Sequence, residues 1–293
     1  MTNLMPIATE VSPAQSAWEL EVRRPRPSLR GIVGDLAGYR ELSSAPVCRR
    51  ELPETHVVTI FNLGAPLRVA QPHSSGEIVV PQGAGFIAGL HETYTITETN
   101  GQQEGLEVRL SPLGAYRLFG IPMRELANRT LLLEEIAPVW HQDLVDQLLA
   151  APDWDSRFHL AEQALARTPG QLAPDSKVVW AWQQLRRTRG QLPIAELAAE
   201  LGWSHARLVS RFREQIGATP KQCARLFRFQ QVVRHPAFAP GADWCDVAQD
   251  CGFYDQSHLI RETHAFAGDT PEGLARRRLT ESAGYAAGEG ELS

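Results

Sequence analysis

Apolar and polar positions run in two rhythms along this chain. In the first 110 or so residues they tend to alternate, as on a strand with one buried face. Thr93–Thr99 (TYTITET) and Leu106–Pro112 (LEVRLSP) are such runs, and His56–Leu63 (HVVTIFNL) and Glu77–Pro81 (EIVVP) are extended, β-branched ones. Each ends at a turn signal, and Asn100-Gly101 reads as a hairpin turn. Short strands at this spacing predict a small barrel or sandwich, an architecture that can hold one ligand inside. From about Leu113 the period lengthens to that of helices. Over Glu134–Ala150, Ile136, Val139, Trp140, Leu144 and Leu148 fall near one face. Pro152-Asp153 interrupts the pattern and Ser156–Ala166 resumes it, as a helical pair that packs on the strands or forms a dimer face. Residues 167–176 (RTPGQLAPDS) are rich in proline, glycine and polar groups and read as a linker. The chain then reads as all-helical to about Arg278. The expected fold class is α+β in two domains: a β-rich barrel or sandwich with flanking helices over 1–166, and an all-α domain over 177–279. A small, polar tail, 280–293, is expected to be disordered.

The helical half contains a degenerate duplication. One copy is Ile194–Pro220 and the other is Trp244–Pro271. Ile194, Leu197, Ala198, Leu201, Gly202 and Trp203 match Trp244, Val247, Ala248, Cys251, Gly252 and Phe253, fifty positions on. Leu208, Gly217, Thr219 and Pro220 match Leu259, Gly268, Thr270 and Pro271, fifty-one positions on. The second copy therefore has one extra residue in its turn, at Tyr254-Asp255. Each copy has the grammar of a helix-turn-helix: a short amphipathic helix, a glycine where the backbone needs positive φ, a cap at Ser204 or Asp255, a second helix, and a Thr-Pro stop. In such a unit the second helix enters the major groove. The outward residues of the first reading helix, about His205–Gln215, are His205, Ala206, Val209, Ser210 and Arg213, with Ser204, Arg207 and Arg211 at its start and flanks. In the second, about Gln256–Phe266, they are Gln256, Ser257, His258, Ile260 and Arg261. Gln suits adenine and Arg suits guanine through bidentate bonds. Lys221, Arg225 and Arg228 follow on a connecting helix and would meet phosphates.

Composition sharpens this. The formal net charge of the 293 residues is −5, which alone argues against nucleic acid. Yet Ser176–Leu279 holds 15 Lys and Arg against 10 Asp and Glu, and the rest of the chain holds 14 against 24. A basic helical domain is joined to an acidic one. The four cysteines, Cys48, Cys223, Cys245 and Cys251, have neither zinc-knuckle nor disulfide-framework spacing. His56, His73 and His91 are isolated, so no metal or other cofactor is expected. No catalytic Ser/His/Asp set, carboxylate pair or glycine-rich phosphate loop is evident, and a non-enzyme is expected. The N-terminus has no secretory pattern and no run is long enough for a membrane span, so a cytoplasmic protein without membrane contact is expected.

The runs LAAELGWSHARLVSRFREQIGATPKQ and VAQDCGFYDQSHLIRETHAFAGDTP resemble the AraC/XylS family of bacterial transcription regulators. The resemblance covers about Lys177–Arg277. It implies about seven helices, a connecting helix near Pro220–Arg234, and double-stranded DNA as partner, read in successive major grooves. The family's base-contacting sites fall on Ala206, Val209 and Ser210, and on Gln256, Ser257 and Arg261. Ser210 departs from the arginine of many relatives, Thr263 from an apolar residue, and His264 from a basic one. PSLRGIVGDLAGYRE, VVTIFNLG, FIAGL and LEVRLSPLGAYRLFGIPMRELANR are similar to a cupin-like sensory domain of part of the family. This implies an unidentified small effector, with homodimerisation and contact with RNA polymerase as further partnerships, and activation as the commoner outcome. The alternative is a DNA alkylation-response protein in which Cys48, in PVCRREL, accepts a methyl group.

Overall fold

The computed structural model describes residues 17–72, 76–168, 170, 172–278 and 285–286. The side chains of 138–143, Val139 and Trp140 included, lie outside that description, as do His73 and two linker positions, 169 and 171.

The strands are β1 (Ala17–Arg23), β2 (Val33–Leu42), β3 (Val47–Glu51), β4 (Val57–Asn62), β5 (Leu67–Ala70), β6 (Glu77–Val80), β7 (Ala84–Ala88), β8 (Thr95–Thr99), β9 (Gln102–Leu110) and β10 (Thr130–Leu132). They form two antiparallel sheets. One has the order β1-β2-β9-β4-β7-β10. The other contains β3-β8-β5-β6. The sheets face each other and do not close into a barrel. Asn100-Gly101 is not a hairpin turn: β8 pairs with β3 and β5, and β9 with β2 and β4. The turn carries the chain from one sheet to the other. Gly101 still has φ +92°, as the dipeptide required, but its carbonyl accepts from Ser43 N–H across the domain.

Helices cover the outer face of the larger sheet: α1 (Pro112–Phe119), α2 (Leu133–Ile136), α3 (Pro138–Ala150) and α4 (Trp154–Arg167). The expected single helix over 134–150 is split at Ala137, because Pro138 has no N–H to continue the ladder and instead starts a new helix. The main core of this half lies between sheet and helices. Leu36, Val57, Phe61, Ile87, Leu106, Val108 and Leu110 meet Leu144, Leu148, Trp154 and Phe158 there. Gly38 lets Trp154 seat flat on β2, since a Cβ at that position would lie 2.3 Å from the indole.

Among its described residues the second half has seven helices: α5 (Ser176–Arg187), α6 (Ile194–Leu201), α7 (His205–Gln215), α8 (Pro220–Val233), α9 (Trp244–Asp250), α10 (Gln256–Ala267) and α11 (Pro271–Arg276). It has two cores. Leu197, Ala198, Leu201, Leu208 and Phe212 belong to one; Val247, Ala248, Leu259 and Phe266 belong to the other. Helix α8 serves both, through Phe227 and Phe229 respectively. The Thr-Pro pairs are starts rather than stops. Thr219 and Thr270 cap α8 and α11, each with proline in the first turn.

The tail also departs from expectation. Tyr285–Ala286 form a short strand, β11, antiparallel to β3 opposite Arg50 and Arg49. Two open backbone positions at the edge of the smaller sheet outweigh the low apolar content of the segment.

Candidate functional site

Both copies of the repeat fold as helix-turn-helix units. Gly202 (φ +62°) and Gly252 (φ +76°) follow the first helices in the left-handed conformation. The Ser204 hydroxyl accepts from Arg207 N–H at 3.3 Å and starts α7. The Asp255 carboxylate does the same for His258 N–H at 2.7 Å and starts α10. The longer second turn carries Tyr254 out of the protein, 94 % exposed. Tyr254 thereby lies beside the start of α10, a place its position in the longer turn could have signalled.

The candidate residues divide by exposure and by partner. Ser204, His205, Ala206, Arg207, Ser210 and Arg213 are exposed on or beside α7, as are Ser257 and Arg261 on α10 and Lys221 on α8. Val209, Gln256 and Ile260 are half-buried. Ala206, Val209 and Ser210 thus occupy the same places as Ser257, Ile260 and Arg261, in helices that begin fifty-one residues apart. Four basic or titratable candidates are engaged within the protein. Arg211 pairs with Glu214 at 2.6 Å and with Asp175 at 3.3 Å. Arg225 pairs with Glu262 at 2.7 Å, and Arg228 donates to the Gly190 carbonyl at 2.7 Å. His258 stacks edge-on against Phe253 and accepts from Tyr254 N–H. These contacts tie the four groups to their neighbours within the helical half. Arg207 lies 5.0 Å over the Trp203 ring, a contact that leaves its guanidinium edge exposed.

A second candidate site lies between the sheets. One side chain in two along β1, β2, β4, β7, β8 and β9 turns away from the helical core and lines a cavity of about 320 Å³. Its walls include Trp18, Tyr39, Glu51, Gln103, Glu107 and Arg109, with Ile60, Leu67, Val69 and Phe86 towards one end. Leu20 and Val22 on the edge strand β1 line it as well and stay 48 % and 62 % exposed, which places a mouth there. Burial raises the carboxyls of Glu51 and Glu107 above the usual carboxylate range, against the opposing pull of Arg49 and Arg109 respectively. Burial also acts against the Glu54 charge, but His56 and Arg109 outweigh it and hold this carboxyl down to about 2. Burial drives the Tyr39 phenol well above its ordinary value. Of these groups only His56 stood out in the sequence, as an isolated histidine; the strand alternation pointed to a barrel or sandwich able to hold a ligand but not to the residues lining it.

The two halves touch. Gln230 on α8 donates to the Pro53 carbonyl at 2.6 Å, and Glu92 accepts from Gln222. Arg50, buried on β3, donates to the carbonyl of Ala267 at the end of α10 and stacks 4.3 Å over Tyr94. Cys48 is half-buried on the same strand, and among the described residues no group of three His, Cys, Asp or Glu is arranged to hold a metal ion.

Residues 197–277 match the family model of a helix-turn-helix domain, and residues 21–132 match a domain of unknown function (DUF6597). The helix-turn-helix match spans both units of the C-terminal half and falls within the stretch that resembles the AraC/XylS family. No curated protein sequence matches the chain. Among solved structures, ToxT from Vibrio cholerae aligns over 89 % of this chain and 98 % of its own, at 9 % identity and a TM-score of 0.48. Wild-type ToxT from strain SCE256 with bound unsaturated fatty acid aligns over 94 % and 99 %, at 9 % identity and 0.47. The xylose-binding transcription activator xylR aligns over 40 % and 38 %, at 17 % identity and 0.29. Among the described residues, no helix is long and apolar enough to cross a membrane.

Proposed function

We propose that the chain is an effector-responsive, sequence-specific regulator of transcription. Helices α7 and α10 read DNA and the cavity between the sheets takes a small molecule. The observation that carries the first part is the repeat of one exposed reading face in two capped helix-turn-helix units. In this reading Ala206, Val209, Ser210, Gln256, Ser257 and Arg261 face base edges, while Arg207, Arg213 and Lys221 face phosphates. The cavity supports the second part: it is of small-ligand size, and β3, which gives it Arg49 and Glu51, also bears Arg50, which holds the end of α10. A ligand that fits the cavity differently in two arrangements of the domains would shift the DNA-binding equilibrium. Residues 1–166 as sensor, 167–176 as linker and 177–279 as reader is the division this function uses.

Selection of bound duplexes from a random library by the full chain tests it. Two half-sites with centres about 10 base pairs apart are expected, one for each reading helix. Enrichment of a single short site, or of none, would refute the paired reading. A reporter under the selected site then gives the direction of control, with activation expected from the family. The methyl-acceptor alternative requires a zinc-tuned or His-paired thiolate. Treatment with a methylating agent, followed by mass analysis of Cys48, decides it.

A further inference from the structure

The cavity is acidic, and its positive charges are already engaged. Arg49 is held by Glu41, with one of the two bonds at 2.8 Å. Arg109 lies between Glu107 at 2.5 Å and Glu54 at 3.8 Å. Each arginine therefore has at least one carboxylate of its own, and neither is left over for an anion. Glu51 and Asp35 also line the wall. Among the described residues Glu51 has no salt bridge, only the Thr97 hydroxyl at 3.1 Å. Its side chain is exposed by area although it points between the sheets, because the area it exposes is cavity wall.

Two buried polar side chains face the same space without an internal partner. Gln103, 8 % exposed, makes no side-chain hydrogen bond to the described residues, and neither does the hydroxyl of Tyr39, 9 % exposed. Their polar atoms are therefore open to the cavity, where a ligand can meet them. Their positions agree. Tyr39 pairs with Gly105 across the β2–β9 ladder, and Gln103 and Glu107 flank Gly105 on the same face. Trp18 stacks on Tyr39 at 5.9 Å and 17°, which supplies an aromatic wall beside the carboxylates. The far end, with Ile60, Val69 and Phe86, is apolar.

We propose that this cavity binds an amphipathic organic cation, an ammonium or guanidinium group on an apolar skeleton. The charged head lies among Glu51, Glu107, Tyr39 and Gln103, and the skeleton lies along Trp18 and the apolar end. A cation there supplies hydrogen-bond donors to Glu51 and to the Gln103 carbonyl, while the Trp18 ring, stacked by Tyr39 and approached by Arg49 at 5.4 Å, serves as an apolar wall for the skeleton. It also stabilises the ionised Glu51 that burial disfavours. The proposal rests on reading the cavity as the effector site.

The test uses the full chain and three probes of one skeleton: phenethylamine, 2-phenylethanol and phenylacetate, with agmatine as a guanidinium probe. Calorimetry should show an amine or guanidinium bound at least about tenfold more tightly than the alcohol, and the carboxylate bound least. Glu51→Gln should weaken amine binding by about tenfold and leave the alcohol unchanged. Asp35→Asn is the second variant should Glu51→Gln fail to fold, with a smaller loss in the same direction. Equal binding of the alcohol or acid, or unchanged amine binding in both variants, would overturn the cationic assignment. If a neutral or anionic compound then alters DNA affinity, the effector reading stands and only the ligand class is wrong. If neither the cations nor a set of small neutral and anionic metabolites changes melting temperature or DNA affinity, the effector reading fails with it.

Discussion

At the scale of single residues, exposure separates groups that can read DNA from those that hold the reader together. Arg261 is exposed on α10 with no acidic partner among the described residues, whereas Arg225, one turn of contacts away, is consumed by Glu262. Arg261→Ala should therefore weaken binding to the selected site by roughly 1–3 kcal/mol and relax preference at one base. Lys221→Ala should weaken selected and random DNA by the same factor, as loss of a phosphate contact does. Competition binding on both DNAs measures the difference, and an equal loss on both for Arg261→Ala would remove its base-reading role. Thr263 gives a stability prediction. It is fully buried on α10, and its hydroxyl has no partner among the described residues. Thr263→Val keeps the shape and removes the unsatisfied group, so it should stabilise the chain by about 1 kcal/mol in urea titration. A loss of stability would show that the hydroxyl is satisfied.

At the scale of elements, turns and loops decide where the rigid pieces point. Gly202 and Gly252 share left-handed φ, but their surroundings differ. A Cβ on Gly202 meets nothing within 4 Å, while one on Gly252 lies 2.8 Å from the Gln191 side chain. Gly252→Val should displace α10 and abolish recognition of the second half-site, and Gly202→Ala should cost only about 1 kcal/mol of backbone strain. Footprinting of each variant, with circular dichroism as a check on folding, distinguishes the two effects. If Gly252→Val protects both half-sites, α10 is not a reading helix. The β7–β8 connection provides a pH response. Burial lowers the His91 imidazole from 6.5 to about 4. The unfolded chain then binds the proton more readily, so stability is complete above pH 6.5 and declines as pH falls towards 4. A loss of about 2 kcal/mol by pH 5 is expected, and His91→Asn should remove it from the pH profile of urea unfolding. A parent profile identical to that of His91→Asn would mean that the His91 imidazole titrates alike in the folded and unfolded chain, so that burial does not lower it.

At the scale of the molecule, an acidic β-rich half sits against a basic helical half. Arg50, Gln230 and the Glu92–Gln222 contact join them, and β11 brings the end of the helical half back to the smaller sheet. The overall charge of −5 conceals the exposed cations of α7, α8 and α10. DNA affinity should consequently fall steeply with salt, with a log–log slope of roughly −4 to −9, about 0.9 for each phosphate neutralised. A slope near zero would show that the exposed arginines do not face the duplex.

The helical half was legible in the sequence because its determinants are local. Helix period, a glycine that needs positive φ and a hydroxyl or carboxylate cap each act within one turn of the chain, and their repetition fifty residues later exposed the second unit. His205–Gln215 and Gln256–Ala267 came out with the expected bounds at nearly every end. The strands β4, β6, β8 and β9 were legible for the same reason. Alternation along β9 showed that Leu106, Val108 and Leu110 face one way and Gln103, Glu107 and Arg109 the other. It did not show which way lies water. The helices cover the apolar face and the second sheet encloses the polar one, so side chains with the pattern of a solvated surface became the wall of a cavity. The engagement of Arg211, Arg225 and Arg228, and the docking of Tyr285–Ala286 on β3, were likewise settled only in the tertiary structure. Each depends on a partner distant in sequence, and a residue's own neighbours carry no information about which group the fold will place beside it.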